Sequence, residues 1–193
     1  MNVVVGQSGG PTAVINASLA GVYEAAVRLG ADKIYGMKNG VEGFLQENFL
    51  PLKEVLDTPM KVELLKRTPS SYLGSCRYKL KTPEARPAEY KKVFEILEKY
   101  EIDYFFYIGG NDSMDTILQL SKYGKTLGAK TRFVGVPKTI DNDLMVTDHT
   151  PGYGSAAKFV ATSLKEIICD SSVYDMKSVT IVEIMGRNAG WLT

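Results

Sequence analysis

Histidine and cysteine are scarce in this sequence, which has one histidine and two cysteines among 193 residues. Cys76 and Cys169 lie far apart in the chain, no Cys-x-x-Cys pair is present, and His149 has no obvious partner. We therefore expect no structural zinc, and we expect cysteines that stay reduced, as they do in the cytoplasm. We predict that His149 is a loop residue rather than a metal ligand.

An excess of charge and long apolar segments are also missing. The formal net charge is +1, so nothing predicts binding to nucleic acid or to an anionic membrane. No apolar run approaches the roughly 18 residues of a membrane-spanning helix. Met1 and Asn2 lead directly into three valines, without the charged and apolar regions of a signal peptide. We expect an ordinary soluble, cytoplasmic globular protein.

Short runs of β-branched and aromatic residues alternate with helical patterns, as they do in βαβ units. The predicted strands are residues 2–5, 33–37, 103–108, 132–136 and 178–184, and the predicted helices are residues 13–29, 88–100, 114–120 and 154–168. Because the strands are almost continuously apolar, we predict an α/β fold with an open, mostly parallel sheet and helices on both faces. Two helical stripes are predicted core: Tyr90, Val93, Phe94, Leu97 and Tyr100, and Ala157, Val160, Leu164, Ile167 and Ile168.

Four loops rich in glycine or aspartate follow predicted strands, at residues 6–12, 109–113, 138–143 and 185–190. The carboxyl ends of parallel strands share one edge of a sheet, so these loops are expected to converge on one site.

The loop after the fourth predicted strand contains Lys138, Thr139, Asp141 and Asp143. In an extended segment the two aspartates, two residues apart, would point the same way. Two carboxylates beside a lysine can remove a proton from an alcohol and hold a metal at a phosphate. This combination is typical of phosphoryl transfer to a hydroxyl. The alternative is a solvated, Asp-rich turn.

The other loops suit anions. Gly9 and Gly10 precede a helix start, where backbone amides and the helix dipole favour a phosphate, although a plain tight turn has the same pattern. Arg77 and Arg187 can each make a bidentate phosphate contact, or be solvated surface residues.

The loop at residues 109–113 repeats this layout after the third predicted strand and adds the carboxylate of Asp112. That carboxylate would lie where a phosphate chain enters. Asp112 or Ser113 could instead simply cap the helix.

In this order, the loops resemble those of the phosphofructokinase family. The matching segments are Gly9 with Gly10 and residues 72–77, 109–113, 137–143 and 182–187, which together span nearly the whole chain. The last two segments are highly specific, whereas lipid kinases and NAD kinases share the glycine pairs. The resemblance implies magnesium-assisted phosphoryl transfer to the 1-hydroxyl of fructose 6-phosphate, a glycolytic reaction, by a homo-oligomeric enzyme.

The resemblance also implies roles for individual residues. The catalytic residues would be Asp141, as general base, Lys138 and Asp112. The sugar phosphate would contact Thr139, Ile140, Asp141, Met185, Gly186 and Arg187. The donor phosphates would contact Gly9, Gly10, Arg77, Gly110 and Ser113, and Asn111 and Asp143 would hold the metal. Most relatives have aspartate where this chain has Asn111, so the metal would depend more on the diphosphate.

Asp112 and Lys138 bear on the phosphoryl donor, because ATP-using members of the family have glycine at both positions. A carboxylate at residue 112 would crowd the α-phosphate of ATP. Two like charges ~4 Å apart cost roughly 4 kcal/mol at an effective dielectric constant of ~20. Lys138 would stabilise a phosphate leaving group. Both residues match the pyrophosphate-dependent branch; the alternatives are an ATP-dependent enzyme and a non-catalytic fragment that binds phosphate or nucleotide.

Two domains are expected from the resemblance. Residues 1–143 would bind the donor phosphates, and residues 144–193 would begin the domain that binds the sugar phosphate. Family members are much longer than this chain, so we expect it to be an amino-terminal portion of an enzyme. In the family the remaining part carries further sugar-phosphate ligands, so the resemblance implies that this chain by itself is inactive.

Overall fold

The computed structural model describes residues 1–186 and 189–193, which form two compact units, Met1–Lys138 and Thr139–Thr193. The first unit contains the strands β1 (Asn2–Gln7), β2 (Lys33–Met37), β3 (Phe49–Pro51), β4 (Ile102–Gly109) and β5 (Arg132–Pro137). It also contains the helices α1 (Ile15–Arg28), α2 (Gly40–Leu45), α3 (Leu52–Val55), α4 (Pro59–Arg67), α5 (Pro87–Lys99) and α6 (Asn111–Thr126). The second unit contains α7 (Tyr153–Ser171).

The five strands form one sheet in the order β3-β2-β1-β4-β5. β1 pairs in parallel with β2 and with β4, and β4 pairs in parallel with β5, whereas β3 runs antiparallel to β2. The register aligns Val5 with Phe106 and Ile108 with Val136. The predicted α/β fold with a mostly parallel sheet is confirmed.

Helices cover both faces of this sheet, as alternation along β1 shows. Val3 and Val5 belong to a buried cluster with residues of α1, α3 and α4. Val4, between them, belongs to a second cluster with residues of α2, α5 and α6. Successive side chains of a strand point to opposite faces, so one apolar strand contributes to both cores. All six residues of β1 are buried, which explains the uninterrupted run of three valines at its centre.

The region between β2 and α5 contains elements that the sequence patterns did not predict, namely α2, α3, α4 and β3. α3 has four residues and β3 three, too few to show a period. The sequence before α4 does contain a helix-start signal. Thr58 accepts a hydrogen bond from the backbone nitrogen of Lys61 at 3.3 Å, and Pro59 occupies the first helical turn. A threonine cap followed by proline is a typical helix start.

The strand predicted at residues 178–184 is wrong. These residues have no regular secondary structure, and Val179 and Ile181 are 89% and 90% exposed. A strand is held by hydrogen bonds to a neighbouring strand, and no described segment pairs with this one. The fourth predicted loop, at residues 185–190, therefore does not follow a strand.

The apolar stripe of α7 was predicted to be core, and this is also wrong for the described chain. No residue of α7 is buried, and Ile168 is largely exposed, because no described part of the second unit covers that face. The corresponding prediction for α5 is confirmed, since Tyr90, Val93 and Leu97 are buried, and Phe94 and Tyr100 are partly buried against the same cluster. Within the part of the chain that the structure describes, no helix combines the length and apolar character needed to cross a lipid bilayer.

Two leucines of α6 allow a matched test of this packing. Leu120 is fully buried in the cluster against β4, whereas Leu118 on the same helix is 48% exposed. Leu120→Ala should lower the free energy of unfolding by about 2–5 kcal/mol, because it removes buried methyl groups and leaves a cavity. Leu118→Ala should change it by less than about 1 kcal/mol. Urea unfolding followed by circular dichroism measures both; equal losses would contradict the assignment of the core.

Candidate active site

Three strand ends of the first unit meet at one edge of the sheet, because β1, β4 and β5 are parallel neighbours. The backbone nitrogen of Ser8 donates to the carbonyl of Ile108 at 2.9 Å, and that of Lys138 donates to the carbonyl of Gly109 at 3.0 Å. The structure therefore brings together the glycine loop after β1, the glycine turn after β4 and Lys138 after β5.

The side chain of Lys138 lies in the predicted donor-phosphate loop. Lys138 is only 4% exposed, and its ammonium group donates to the backbone carbonyl of Gly10. At Gly9 the backbone adopts a φ of 73°, and a Cβ there would lie 3.3 Å from the ammonium nitrogen. A buried ammonium needs polar partners, and the glycine loop supplies one. A positive charge is thus fixed against the main chain of Gly9 and Gly10.

The residues predicted as the loop after β4 are largely helical. α6 begins at Asn111, three residues earlier than expected, so Asn111, Asp112 and Ser113 form its first turn and Gly110 is the residue before it. The helix starts early because its first turn closes on Gly110, whose carbonyl accepts from the backbone nitrogens of Ser113 and Met114, both at 3.0 Å. The positive end of the helix dipole consequently lies at this turn, which favours an anion.

Asp112 forms an ion pair with Lys79, whose ammonium nitrogen lies 3.1 Å from its Oδ1. Both side chains are about two-thirds exposed, at 66% for Lys79 and 69% for Asp112. An exposed pair is screened by water and contributes little to stability. The pair does, however, offset the negative charge of Asp112, so like-charge repulsion of a nucleotide is weaker than the sequence suggested. The bulk of the side chain is unaffected.

Ser113 is buried and contacts a residue that the sequence did not single out. Its hydroxyl shares a hydrogen bond with the hydroxyl of Ser8, which joins the start of α6 to the glycine loop after β1. Gly109 permits this contact, since a Cβ at that position would lie 2.0 Å from the Ser113 hydroxyl oxygen and 2.6 Å from that of Ser8. No side chain fits there without displacing one of the serines.

Arg77 is exposed at the end of a loop that is tied to the same glycines. The backbone nitrogen of Gly9 donates to the carbonyl of Cys76 at 3.3 Å, and the Ser75 hydroxyl donates to the carbonyl of Gly9 at 2.6 Å. The structure therefore places Arg77 one residue beyond a direct contact with the predicted donor loop.

Beneath this loop, Tyr107 contacts Cys76, with 3.6 Å between its hydroxyl oxygen and the sulfur. Burial, and then the nearby Cys76, raises the pKa of the Tyr107 phenol well above its usual range. The same hydroxyl accepts a hydrogen bond from the backbone nitrogen of Val41 at 3.3 Å, so Tyr107 joins the Cys76 segment to the first turn of α2.

In the second unit, Asp141 lies in a loop that is closed on itself. Thr139 and Gly152 form a parallel bridge, and the Thr150 hydroxyl donates to the carbonyl of Thr139 at 2.9 Å. The backbone nitrogen of Asp141 donates to the Thr139 hydroxyl at 3.1 Å, and Asn142 accepts from the backbone nitrogen of Thr150 at 2.9 Å. These bonds fix the backbone on either side of the Asp141 carboxylate.

The argument that Asp141 and Asp143 share one side of an extended segment is wrong. Asn142 between them has a φ of 54°, in the left-handed region, so the period-two alternation of a strand does not apply. The Asn142 side chain bonds within the loop, with its nitrogen 3.2 Å from the carbonyl of Asp148, which accounts for a non-glycine residue in this conformation.

Ile140 is half-buried in the same loop. Of the predicted sugar-phosphate residues near the end of the chain, Met185 is 76% exposed and Gly186 lies beside the carbonyl of Ala189. Arg187 lies outside the described residues.

The oxygen donors of Asn111 and Asp143 are of the hard type that Mg²⁺ prefers. Among the described residues, no three histidine, cysteine, aspartate or glutamate side chains cluster in a way that could hold a metal ion. Protein side chains alone thus provide no complete magnesium site in this part of the chain. Taken separately, the amide oxygen of Asn111 in the first unit and the carboxylate of Asp143 in the second are each a suitable single ligand for a Mg²⁺ ion that takes its other ligands from phosphates and water.

Sequence patterns missed three side chains that shape this site: Ser8, Lys79 and Ser75. Two of them carried a signal: Ser8 directly follows β1 and precedes the glycines, and Ser75 lies within the matched segment at residues 72–77. Lys79 and Ser75 lie in an irregular segment, and their importance depends on contacts with residues far away in the chain.

Comparisons with known proteins show which family this chain is similar to. The family model described as Phosphofructokinase matches residues 2–193. The chain is 45% identical over 193 residues to the pyrophosphate–fructose 6-phosphate 1-phosphotransferase of Xanthomonas campestris pv. campestris, covering 99% of this chain and 46% of that protein. The protein of the same name from Halomonas elongata is 43% identical over 195 residues, and the match covers 99% of this chain and 46% of that protein.

A solved structure of a related protein is also similar to this chain. The pyrophosphate-dependent phosphofructokinase from Nitrosospira multiformis superposes with a TM-score of 0.90 at 42% identity, covering 99% of this chain and 47% of that one. This chain therefore spans slightly less than half the length of these relatives.

The close packing at Gly109 leads to a prediction about stability. Gly109→Ala should lower the free energy of unfolding by about 1–3 kcal/mol, because the new methyl group collides with the Ser8 and Ser113 hydroxyls. Gly10→Ala is the matched control: nothing lies within 4 Å of a Cβ there, so its stability should stay within about 1 kcal/mol of the wild type. Thermal unfolding measures both, and a Gly109→Ala protein as stable as Gly10→Ala would contradict the packing.

Proposed function

Because the chain belongs to the phosphofructokinase family, we propose that the whole protein transfers a phosphoryl group from pyrophosphate to the 1-hydroxyl of fructose 6-phosphate. The relatives at 43–45% identity that carry the pyrophosphate name support this choice of donor and acceptor. Since the chain spans less than half of those relatives, the proposal concerns the longer protein. The observation that carries it is the buried Lys138 ammonium at the glycine loop.

In the proposed reaction, the sugar O1 bonds to a phosphorus atom of pyrophosphate, and the bond from that phosphorus to the bridging oxygen breaks. The products are fructose 1,6-bisphosphate and inorganic phosphate. The proton of the sugar hydroxyl passes to Asp141. The leaving phosphate gains negative charge as the bond breaks, and a fixed cation beside it lowers the barrier.

Lys138 is the residue proposed to supply that cation. Its ammonium is already buried and held against Gly10, so little reorganisation is needed when the charge develops. A nucleotide donor would bring further contacts of its own to the leaving group, whereas pyrophosphate brings none. A built-in lysine is therefore of most use to an enzyme with the smaller donor.

Asp112 is proposed to exclude ATP from the donor site. It lies in the first turn of α6, beside the positive end of the helix where a donor phosphate would bind. Because Lys79 offsets its charge, the exclusion is chiefly steric. Gly9, Gly10, Arg77, Gly110 and Ser113 are proposed to contact the pyrophosphate. Thr12 supports this location, since its hydroxyl is buried without a hydrogen-bond partner among the described residues.

Asp141 is proposed as the general base. The backbone nitrogen of Asp141 donates to the Thr139 hydroxyl, and that of Thr150 donates to the Asn142 side chain. These bonds hold the backbone that carries the carboxylate, and a fixed base favours proton abstraction. Thr139, Ile140, Met185, Gly186 and Arg187 are proposed to contact the sugar phosphate.

Mg²⁺ is proposed to be held by the side-chain oxygens of Asn111 and Asp143 together with the diphosphate. When bound, it would neutralise charge on the phosphates. Homo-oligomerisation and a cytoplasmic location remain predictions of the family resemblance, as does the division of roles between residues 1–143 and 144–193.

An assay of the whole protein with fructose 6-phosphate, Mg²⁺ and either pyrophosphate or ATP tests the proposal. Fructose 1,6-bisphosphate should form with pyrophosphate and form much more slowly with ATP. Turnover with ATP alone would favour the ATP-dependent alternative, and binding without turnover would favour a phosphate-binding protein.

Asp141→Asn should lower kcat by roughly 10²–10⁴-fold while leaving the affinity for fructose 6-phosphate nearly unchanged. An amide cannot accept the hydroxyl proton, yet it has the shape of the carboxylate. Asp148→Asn, in the same loop, is the control and should have a normal rate. Steady-state kinetics with pyrophosphate measures both variants, and a near-normal kcat for Asp141→Asn would show that another group is the base.

Asp112→Gly should raise the ratio of kcat/KM for ATP to that for pyrophosphate by roughly 10- to 100-fold, because it opens space for the α-phosphate. Asp112→Asn keeps the bulk and removes the charge, so it should raise the ratio less. In the Asp112→Gly background, Lys138→Gly should slow the reaction with pyrophosphate more than that with ATP. If Asp112→Gly leaves the ratio unchanged, Asp112 does not exclude ATP.

A further inference from the structure

Two fully buried amide side chains, Gln7 and Asn16, flank the glycine loop of residues 8–12 in the chain. Gln7 is the last residue of β1 and Asn16 is in the first turn of α1, and both are 0% exposed. Buried amides are costly unless their hydrogen bonds are made. The proposed reaction assigns neither residue a role.

The Gln7 amide makes all four of its possible hydrogen bonds. Its nitrogen donates to the carbonyl of Ile15 and to Oδ1 of Asn16, both at 3.0 Å. Its oxygen accepts from the Ser71 hydroxyl and from the backbone nitrogen of Leu73, both at 2.9 Å. One side chain thus joins the end of β1, the start of α1 and the segment before Arg77.

Asn16 extends this link along the same segment. Its oxygen accepts from the backbone nitrogen of Tyr72 at 2.9 Å, and its nitrogen donates to the carbonyl of Thr68 at 2.9 Å. Together the two amides bind backbone or side-chain groups of Thr68, Ser71, Tyr72 and Leu73. We call this pair the amide clamp.

The segment held by the clamp needs such an anchor. Residues 68–86 contain no helix or strand, so the ladder hydrogen bonds that fix other parts of the unit are absent here. Beyond the clamp, the same segment contacts Gly9 through Ser75 and Cys76 and then reaches Arg77. The bonds of Ser75 and Cys76 to Gly9 set the position of Arg77 directly. The clamp, together with a backbone bond from Asn39 to the carbonyl of Leu73 at 2.8 Å, anchors the residues just before them.

We infer that Gln7 and Asn16 are positioning residues for donor binding, which hold the Arg77 segment against the glycine loop so that Arg77 meets the donor phosphate. This inference rests on the proposed function, because it takes Arg77, Gly9 and Gly10 to be the donor-phosphate contacts. The clamp itself touches no substrate. Its effect is to make the arginine and the glycine loop one preorganised unit, which lowers the entropic cost of binding the donor.

Gln7→Glu in the whole protein is the most direct test. The carboxylate keeps the size of the amide and its bonds to Ser71 and Leu73, but it cannot donate to Ile15 or Asn16.

Ser71→Ala is a milder second variant that removes one bond of the clamp from the loop side, for use if Gln7→Glu does not fold. Tyr23→Phe is the matched control, since it removes a buried hydrogen bond from the Tyr23 hydroxyl to the carbonyl of Leu56 (2.8 Å) within the same unit.

The expected result is a rise of roughly tenfold in KM for pyrophosphate in Gln7→Glu and a smaller rise in Ser71→Ala, with KM for fructose 6-phosphate unchanged. Tyr23→Phe should leave the KM for pyrophosphate and the KM for fructose 6-phosphate unchanged, even if its unfolding midpoint falls by as much as that of Gln7→Glu. Combining Gln7→Glu with Arg77→Ala should weaken pyrophosphate binding no further than Arg77→Ala alone, because the clamp acts through Arg77. Additive effects, or an equal rise in Tyr23→Phe, would overturn the inference.

Limited trypsin digestion gives a readout that does not require activity. Cleavage after Arg77 should be several-fold faster in Gln7→Glu and Ser71→Ala than in the wild type and Tyr23→Phe, because the segment is released locally. If trypsin cleaved after Arg77 at the same rate in all four proteins, the amide clamp would not anchor this segment, whichever phosphoryl donor the enzyme uses. The two proposals can fail separately. If the wild-type protein does not turn over pyrophosphate, the proposed function is contradicted. If the trypsin results are nevertheless as expected, the clamp is still supported as the anchor of the Arg77 segment.

Discussion

Parallel pairing of β1 with β4, and of β4 with β5, is the constraint from which the candidate site follows. Neighbouring parallel strands end at the same edge of the sheet, so the residues after each strand meet there without any further interaction. The backbone bonds from Ser8 to Ile108 and from Lys138 to Gly109 continue this pairing past the strand ends. A shift in register would move Lys138 away from the glycine loop, and the proposed preference for pyrophosphate would lose its basis.

The site at this edge is built largely from polar groups that are bonded to one another. The Lys138 ammonium is held by a carbonyl of the glycine loop, the Ser113 hydroxyl by Ser8, and the Arg77 segment by the amide clamp. Each bond offsets the cost of removing a polar group from water. Each also reduces the freedom of a group that is proposed to meet a phosphate, so stability and preorganisation have the same source here.

The charge of Asp112 by itself does not decide whether ATP or pyrophosphate is the phosphoryl donor. Asp112 looked like an electrostatic barrier to ATP, but an exposed carboxylate paired with Lys79 repels weakly. Its position in the first turn of α6 is more informative, because bulk at that point competes directly with a phosphate. The proposed roles of Asp112 and Lys138 therefore differ in kind: one occupies space, and the other supplies a fixed positive charge where the leaving group forms.

The sequence by itself determined the α/β class, the parallel strands β1, β2, β4 and β5, the long helices and the loops for which we propose a role in catalysis, because periodicity and glycine turns are local properties. It also determined the family, through the specific loop at residues 137–143. The short elements between β2 and α5, the early start of α6 and the left-handed Asn142 were decided by tertiary structure. The pairing of Lys79 with Asp112 and the contacts of Gln7 and Asn16 were decided in the same way, since each joins residues distant in the chain that only folding brings together.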